Sequence, residues 1–117
     1  MATEDDHLRK ARANEAFARL LSPADRPDRK IIVSFYSALQ YVEAIIVRSG
    51  HRSSDHAARA NYLRVLPVLE PIRSEYLALA NWARKARYDP TMQFSKTAEV
   101  QSACDPAENV RRGLIGS

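Results

Sequence analysis

A chain of 117 residues, 45% hydrophobic and 27% charged, fits one ordinary domain; its composition excludes global disorder, and its length allows a core without disulfides or metals. The single cysteine, Cys104, excludes an internal disulfide, and without a Cys/His ligand cluster there is no basis for a zinc site, so no metal or cofactor is expected. A net charge of +4 with a pI near 9.5, carried mostly by arginine, suits a phosphate-bearing partner, although many basic domains bind no nucleic acid.

Residues 3–21 read as a first helix, with Glu4, Asp5 and Asp6 placed at its positive end. Leu8, Ala11, Ala16, Phe17, Leu20 and Leu21 form its apolar stripe. Ser22-Pro23 and Arg26-Pro27 end it, and the short linker predicts an antiparallel neighbour. The polar, acidic opening MATEDDHLRK holds no apolar signal region, so the expected compartment is the cytoplasm.

Asp28 is the expected N-cap of a long second helix that runs to about Ser49 and stops at Gly50. Its broad apolar arc (Ile32, Phe35, Leu39, Val42, Ile46, widened by Ile31, Ala38 and Ile45) makes it the central helix of a bundle. Ser, Gln and Glu interrupt that arc, which makes it a poor membrane span. Ser34, Ser37, Gln40, Tyr41 and Arg48 form a separate polar arc. Glu43 instead falls at the edge of the apolar face, near Leu39 and Ile32.

After the polar loop 51–54, Ser54 is the expected cap of a third helix, on which His56, Arg59, Leu63 and Leu66 share one face. Pro67 and Pro71 mark a break and a restart. The fourth helix carries Leu69, Ile72, Tyr76, Leu79, Ala83 and Ala86 inward, with Arg87 near the same line, and Asp89-Pro90 closes it. The core is therefore expected at about residues 5–89. Short C-terminal helices are expected over about 95–113: Ser95 caps one that runs through Cys104, and Asp105-Pro106-Ala107-Glu108 opens another.

A buried charge needs a partner, because an unpaired one costs several kcal/mol or changes its protonation state. Glu43, His56, Arg59 and Arg87, aimed inward from three helices, are therefore expected to meet in one cluster. Two readings of that cluster are open. In one, Glu43 pairs with Arg59 or Arg87 to fix helix register. In the other, Glu43 holds an arginine so that its remaining donors face a phosphate, and His56 moves a proton. Arg48, His51 and Arg52 flank the same loop as a solvated basic turn or a phosphate-facing rim. Tyr36, Tyr41, Tyr62, Tyr76, Trp82 and Tyr88 are core aromatics or base-stacking surfaces.

The stretches KIIVSFYSALQYVEAIIVRSGHRSSDHAAR and SEYLALANWARKARY resemble small bacterial HEPN-type helical domains over roughly Leu8 to Asp89. The shared elements are Phe35-Tyr36, Ala38, Glu43-Ala44, Gly50, His56 with Arg59, Tyr76 and Arg87-Tyr88. The resemblance implies an all-α, antiparallel four- to five-helix up-and-down bundle that often dimerises, linked to RNA, nucleotides and toxin–antitoxin or defence systems. Active members of that family are metal-independent ribonucleases that carry an arginine, four to six intervening residues and a histidine. Arg52 and Arg48 stand at other spacings from His56, and Gln40 stands where similar sequences often carry histidine.

Two functions follow as expectations. The first is a non-catalytic module that associates with RNA or a nucleotide, a protein partner of the antitoxin kind, or a second copy through the Ser34–Ser37–Tyr41 stripe. The second is a ribonuclease using His56, Arg59 and Glu43, with Arg48, His51, Arg52, Arg87 and Tyr88 binding the ligand.

Overall fold

Thr3 opens the chain's first helix with a reciprocal cap: its hydroxyl accepts from the Asp6 amide at 3.1 Å, and its own amide donates to the Asp6 carboxylate at 2.9 Å. In the computed structural model, which describes residues 2–22, 27–53, 55–88 and 105–115, this helix is α1 (Glu4–Leu20). It is followed by α2 (Pro27–Arg48), α3 (His56–Val65), a 3₁₀ segment (Pro67–Ile72), α4 (Arg73–Tyr88) and α5 (Asp105–Ile115). The described residues contain no strand, so the all-α expectation holds.

α2 is the axis of the bundle. α1 runs antiparallel to it: Glu4 meets Arg48, Ala11 meets Ser37, and Ala18 meets Lys30. α4 packs antiparallel on another side, with Tyr76 near Glu43 and, further along α4, Arg87 paired with Tyr36. Ile31, Ala38, Val42 and Ile46 of α2 are fully enclosed and share one apolar core with Ala11, Leu63, Leu69, Leu79 and Val110. By length and composition α2 could cross a membrane, but 72% of its apolar window is buried against its neighbours.

Local chemistry ends α1, α2 and α3. α2 closes in a Schellman turn, in which the Gly50 amide donates to Val47 O at 3.0 Å and the His51 amide to Ile46 O at 3.0 Å. Gly50 sits at φ 88°, a conformation that a side chain would strain. Buried Lys30 donates to the carbonyls of Ala18 and Leu21 at 2.8 and 3.2 Å, closing α1 from the neighbouring helix. Arg73 does the same for α3, donating to Leu63 O and Arg64 O, both at 2.7 Å.

Several expectations need correction. Asp28 is not a cap, because α2 begins at Pro27 and Asp28 lies in its first turn. Asp55 caps α3, accepting from the Ala58 amide at 2.8 Å; Ser54 lies outside the described residues, as does the expected helix from Ser95 to Cys104. Phe17 and Leu20 are not core residues; they are 50% and 84% exposed, since α1 turns Ala11, Glu15 and Ala18 inward instead. The stripe Ser34–Ser37–Tyr41 faces no second copy. All three residues are buried, with Ser37 donating to Ala11 O at 2.9 Å and Tyr41 to Glu15 at 2.7 Å under α1. Finally, the core extends past residue 89: Ala107 and Val110 of α5 are buried against it.

Candidate functional site

Glu43 lies one helical turn beyond Leu39 on α2 and is 5% exposed. A carboxylate in that position must be met by donors, and it is. The Nε of Arg59, reaching from α3, donates to its Oε1 at 2.6 Å, and the hydroxyl of Ser53, from the α2–α3 loop, donates to the same oxygen. Arg59 then passes a second donor, Nη1, to His56 Nδ1 at 2.9 Å. A guanidinium has no acceptor, so Nδ1 accepts, and the proton of the neutral ring sits on Nε2. The chain Ser53–Glu43–Arg59–His56 thus fixes both an arginine and a histidine tautomer from one buried acid.

Tyr76 of α4, 4% exposed, backs this cluster, and together with Phe35, Leu63 and His56 it lines a 160 Å³ cavity beside Arg59. Burial pushes the Tyr76 phenol up to about 12, with the Glu43 charge adding and the Arg59 charge opposing.

Arg87 does not join Glu43. It is exposed near the end of α4, where its Nη1 donates to the Tyr36 hydroxyl at 2.8 Å. Its guanidinium lies 5.9, 5.8 and 5.4 Å from the ring centres of Phe35, Tyr36 and Tyr88. The expected four-residue cluster is therefore a three-residue cluster with Arg87 set apart. The two are reunited by a cleft of about 590 Å³ whose walls include His56, Arg59, Arg87, Tyr36 and Tyr88. α1 contributes Lys10 and Asn14 to this cleft, and α2 contributes Gln40. Every charged side chain among the described residues lining it is cationic or a histidine.

Arg48, His51 and Arg52 face elsewhere. Arg48 forms a forked pair with Glu4 at 3.0 and 3.2 Å, which holds the Glu4 carboxyl below its usual range. Arg52 donates to Ala2 O, and the His51 ring stacks on Tyr62 at 5.0 Å. These three tie the α2–α3 loop to the start of α1 and to α3, and none lines the cleft.

A second buried acid lies outside the expected cluster. Glu15 of α1, 6% exposed, accepts from Tyr41 at 2.7 Å, Arg19 at 2.9 Å and Arg111 at 3.1 Å. Burial alone would raise its carboxyl, but the hydrogen bonds from Tyr41 and Arg19 and the charge of Arg111 outweigh burial and hold it below its usual value. Burial and the Glu15 contact both raise the Tyr41 phenol. The signal was present: Glu15 falls on the line of Ala11 and Ala18, four and three residues away, where α1 meets α2. Lys10 and Gln40 were likewise unassigned, because nothing in the pattern of α1 shows that it borders a cleft.

Searches against protein-family models, curated proteins and solved structures find no match to this chain.

Proposed function

We propose that this protein is a HEPN-like binding module for RNA or a nucleotide, acting without catalysis, and that the cleft beside Arg59 is its ligand site. The observation that carries this reading is the character of the cleft. Lys10, Arg59 and Arg87 reach it from three different helices, the described lining carries no carboxylate, and Tyr36 and Tyr88 stand 39% and 75% exposed at its wall. Cations supply affinity for phosphate, and exposed rings supply stacking for a base. Five other arginines, Arg9, Arg19, Arg48, Arg111 and Arg112, are bridged to acids. A role beside a toxin–antitoxin or defence partner, as a homodimer, belongs to the same proposal and rests on the HEPN resemblance.

The ribonuclease reading is second. In its favour, His56 and Arg59 both line a cleft that a ligand can enter. Against it, the Nδ1 lone pair of His56 already accepts from Arg59, which leaves Nε2–H as a donor toward the cleft and no ring nitrogen ready to take a proton. The test is to incubate the purified protein and a His56→Ala variant with a mixed-sequence RNA, in parallel with fluorescence titrations of labelled RNA. The expected result is intact RNA with both proteins and saturable, salt-sensitive binding by the parent. RNA products that depend on His56 would replace the binding reading with the catalytic one.

A further inference from the structure

Gln40 stands on the cleft wall, and its Oε1 is occupied by His7 Nδ1 at 2.7 Å. A carboxamide oxygen only accepts, so His7 is the donor, and what Gln40 has left to offer is the amide Nε2 with its two hydrogens. His7 sits on α1, where it is half-buried. It acts as a positioning residue that turns an ambivalent side chain into a donor. His56 is turned the same way: Arg59 engages Nδ1, so the ring presents Nε2–H. Together with Lys10, Arg59 and Arg87, the cleft gathers donors from α1, α2, α3 and α4 around one volume of about 590 Å³.

That arrangement differs from what a polymer backbone needs. A strand of singly charged diesters is bound along an extended basic groove. Donors gathered from four helices around one open cleft match one group with several acceptor oxygens and more than one charge. A terminal phosphate has three such oxygens and carries about −1.5 to −2 charges at neutral pH. Tyr36 and Tyr88, both exposed, line the same cleft and supply rings for the base attached to such a phosphate.

Resting on the nucleotide-binding reading above, we propose that the cleft recognises a terminal phosphomonoester, that of a mononucleotide or of a phosphorylated RNA end, and that the His7–Gln40 pair contributes to this selectivity. Mononucleotide and RNA end share one chemistry and are separated by the probes.

Calorimetric titration uses adenosine, adenosine 5′-monophosphate, inorganic phosphate, and one trinucleotide with and without a 5′-phosphate. The phosphorylated member of each pair is expected to bind about tenfold more tightly or better, the worth of one or more charge-assisted hydrogen bonds. Gln40→Leu should narrow that ratio, and so should Lys10→Ala, whose exposed side chain makes folding no concern. Equal binding of the two trinucleotides overturns the terminal-phosphate proposal while leaving the nucleotide reading intact. Inorganic phosphate binding as tightly as the monophosphate overturns the stacked base. Failure of every probe overturns the nucleotide reading itself. If the monophosphate binds and the phosphorylated trinucleotide does not, the ligand is the free nucleotide.

Discussion

Glu15 and Glu43 are the buried acids among the described residues, 6% and 5% exposed, and each is met by arginine from another helix. Their surroundings differ in what the arginines do next. Around Glu15, Tyr41, Arg19 and Arg111 all donate to the carboxylate, and a second acid, Glu108, lies 3.7 Å from Arg19 and 4.0 Å from Arg111. Charge and donors are consumed within the cluster, which joins α1, α2 and α5. Around Glu43, Arg59 spends one donor on the acid and another on His56, then borders a cleft whose described lining has no acid. Its side chain is only 15% exposed, so water screens its charge less than that of Arg19 or Arg111, at 47% and 33%. A buried carboxylate with arginine is thus a lock or a site according to what the outer donors meet.

The sharpest way to break this comparison is to remove each acid in turn. Glu15→Ala takes the nearer carboxylate from two guanidiniums, leaving them Glu108, and strands a buried hydroxyl; it should cost about 3–4 kcal/mol by urea unfolding. Glu43→Ala strands one guanidinium with a cleft to swing into, and should cost about 2–3 kcal/mol. The second variant should also lose nucleotide binding, because Arg59 and His56 are no longer held; the first should bind normally wherever it remains folded. If Glu43→Ala proves the more destabilising and leaves binding intact, the two roles are reversed.

Why was one cluster legible in the sequence and the other not? Glu43 stands out because it lies at the edge of an otherwise apolar arc of α2, and a lone acid there demands a partner. Arg59, spaced with Leu63 on an inner face, was the natural partner, and the structure joins them at 2.6 Å. Glu15 was hidden because α1 is rich in alanine and in charges, so its inward line of Ala11, Glu15 and Ala18 looks no more apolar than its exposed line. The exposed Phe17 and Leu20 drew the stripe to the wrong face. Arg111 lies 96 positions from Glu15, and no local pattern predicts such a pairing. The presence of α1 to α5, the central place of α2 and the Gly50 stop follow from periodicity and capping chemistry, which are local. The cleft depends on how α1 and α4 flank α2, which is not.

A smaller effect appears when pH is varied. The Glu15 carboxyl is held below its ordinary value of 4.5, so its contribution is complete above that pH and is lost as pH falls through the depressed value. Tyr76, behind Glu43, is raised from 10.0 to about 12, so its contribution is complete below pH 10 and is lost as pH rises through that window. Stability should therefore be flat between these limits and fall outside them. Glu15→Gln should soften the acid limb, to which Glu4 and Asp6 contribute in the same direction. Tyr76→Phe should soften the alkaline limb, to which the raised Tyr41 phenol contributes in the same direction, and leave the acid limb unchanged. Urea midpoints measured across pH check both; an acid limb that steepens in Glu15→Gln would contradict the lock.

Arg87→Ala should have the smallest effect on stability. The side chain is exposed, its hydrogen bond is to the partly exposed Tyr36, and its other contacts are ring faces at more than 5 Å. Surface truncations of this kind usually stay within about 0.5 kcal/mol, with a little more here if the ring contacts count. Such an arginine does little for the fold, yet it stands over Tyr36 and Tyr88 at the wall of the cationic cleft. If the cleft holds a phosphate and a base, losing this cation should weaken the nucleotide several-fold while the melting temperature barely moves. Arg111→Ala should do the opposite, leaving binding unchanged and stability reduced. A double substitution in which the two effects simply add would show that the lock and the site are independent, as their placement on different sides of α2 requires.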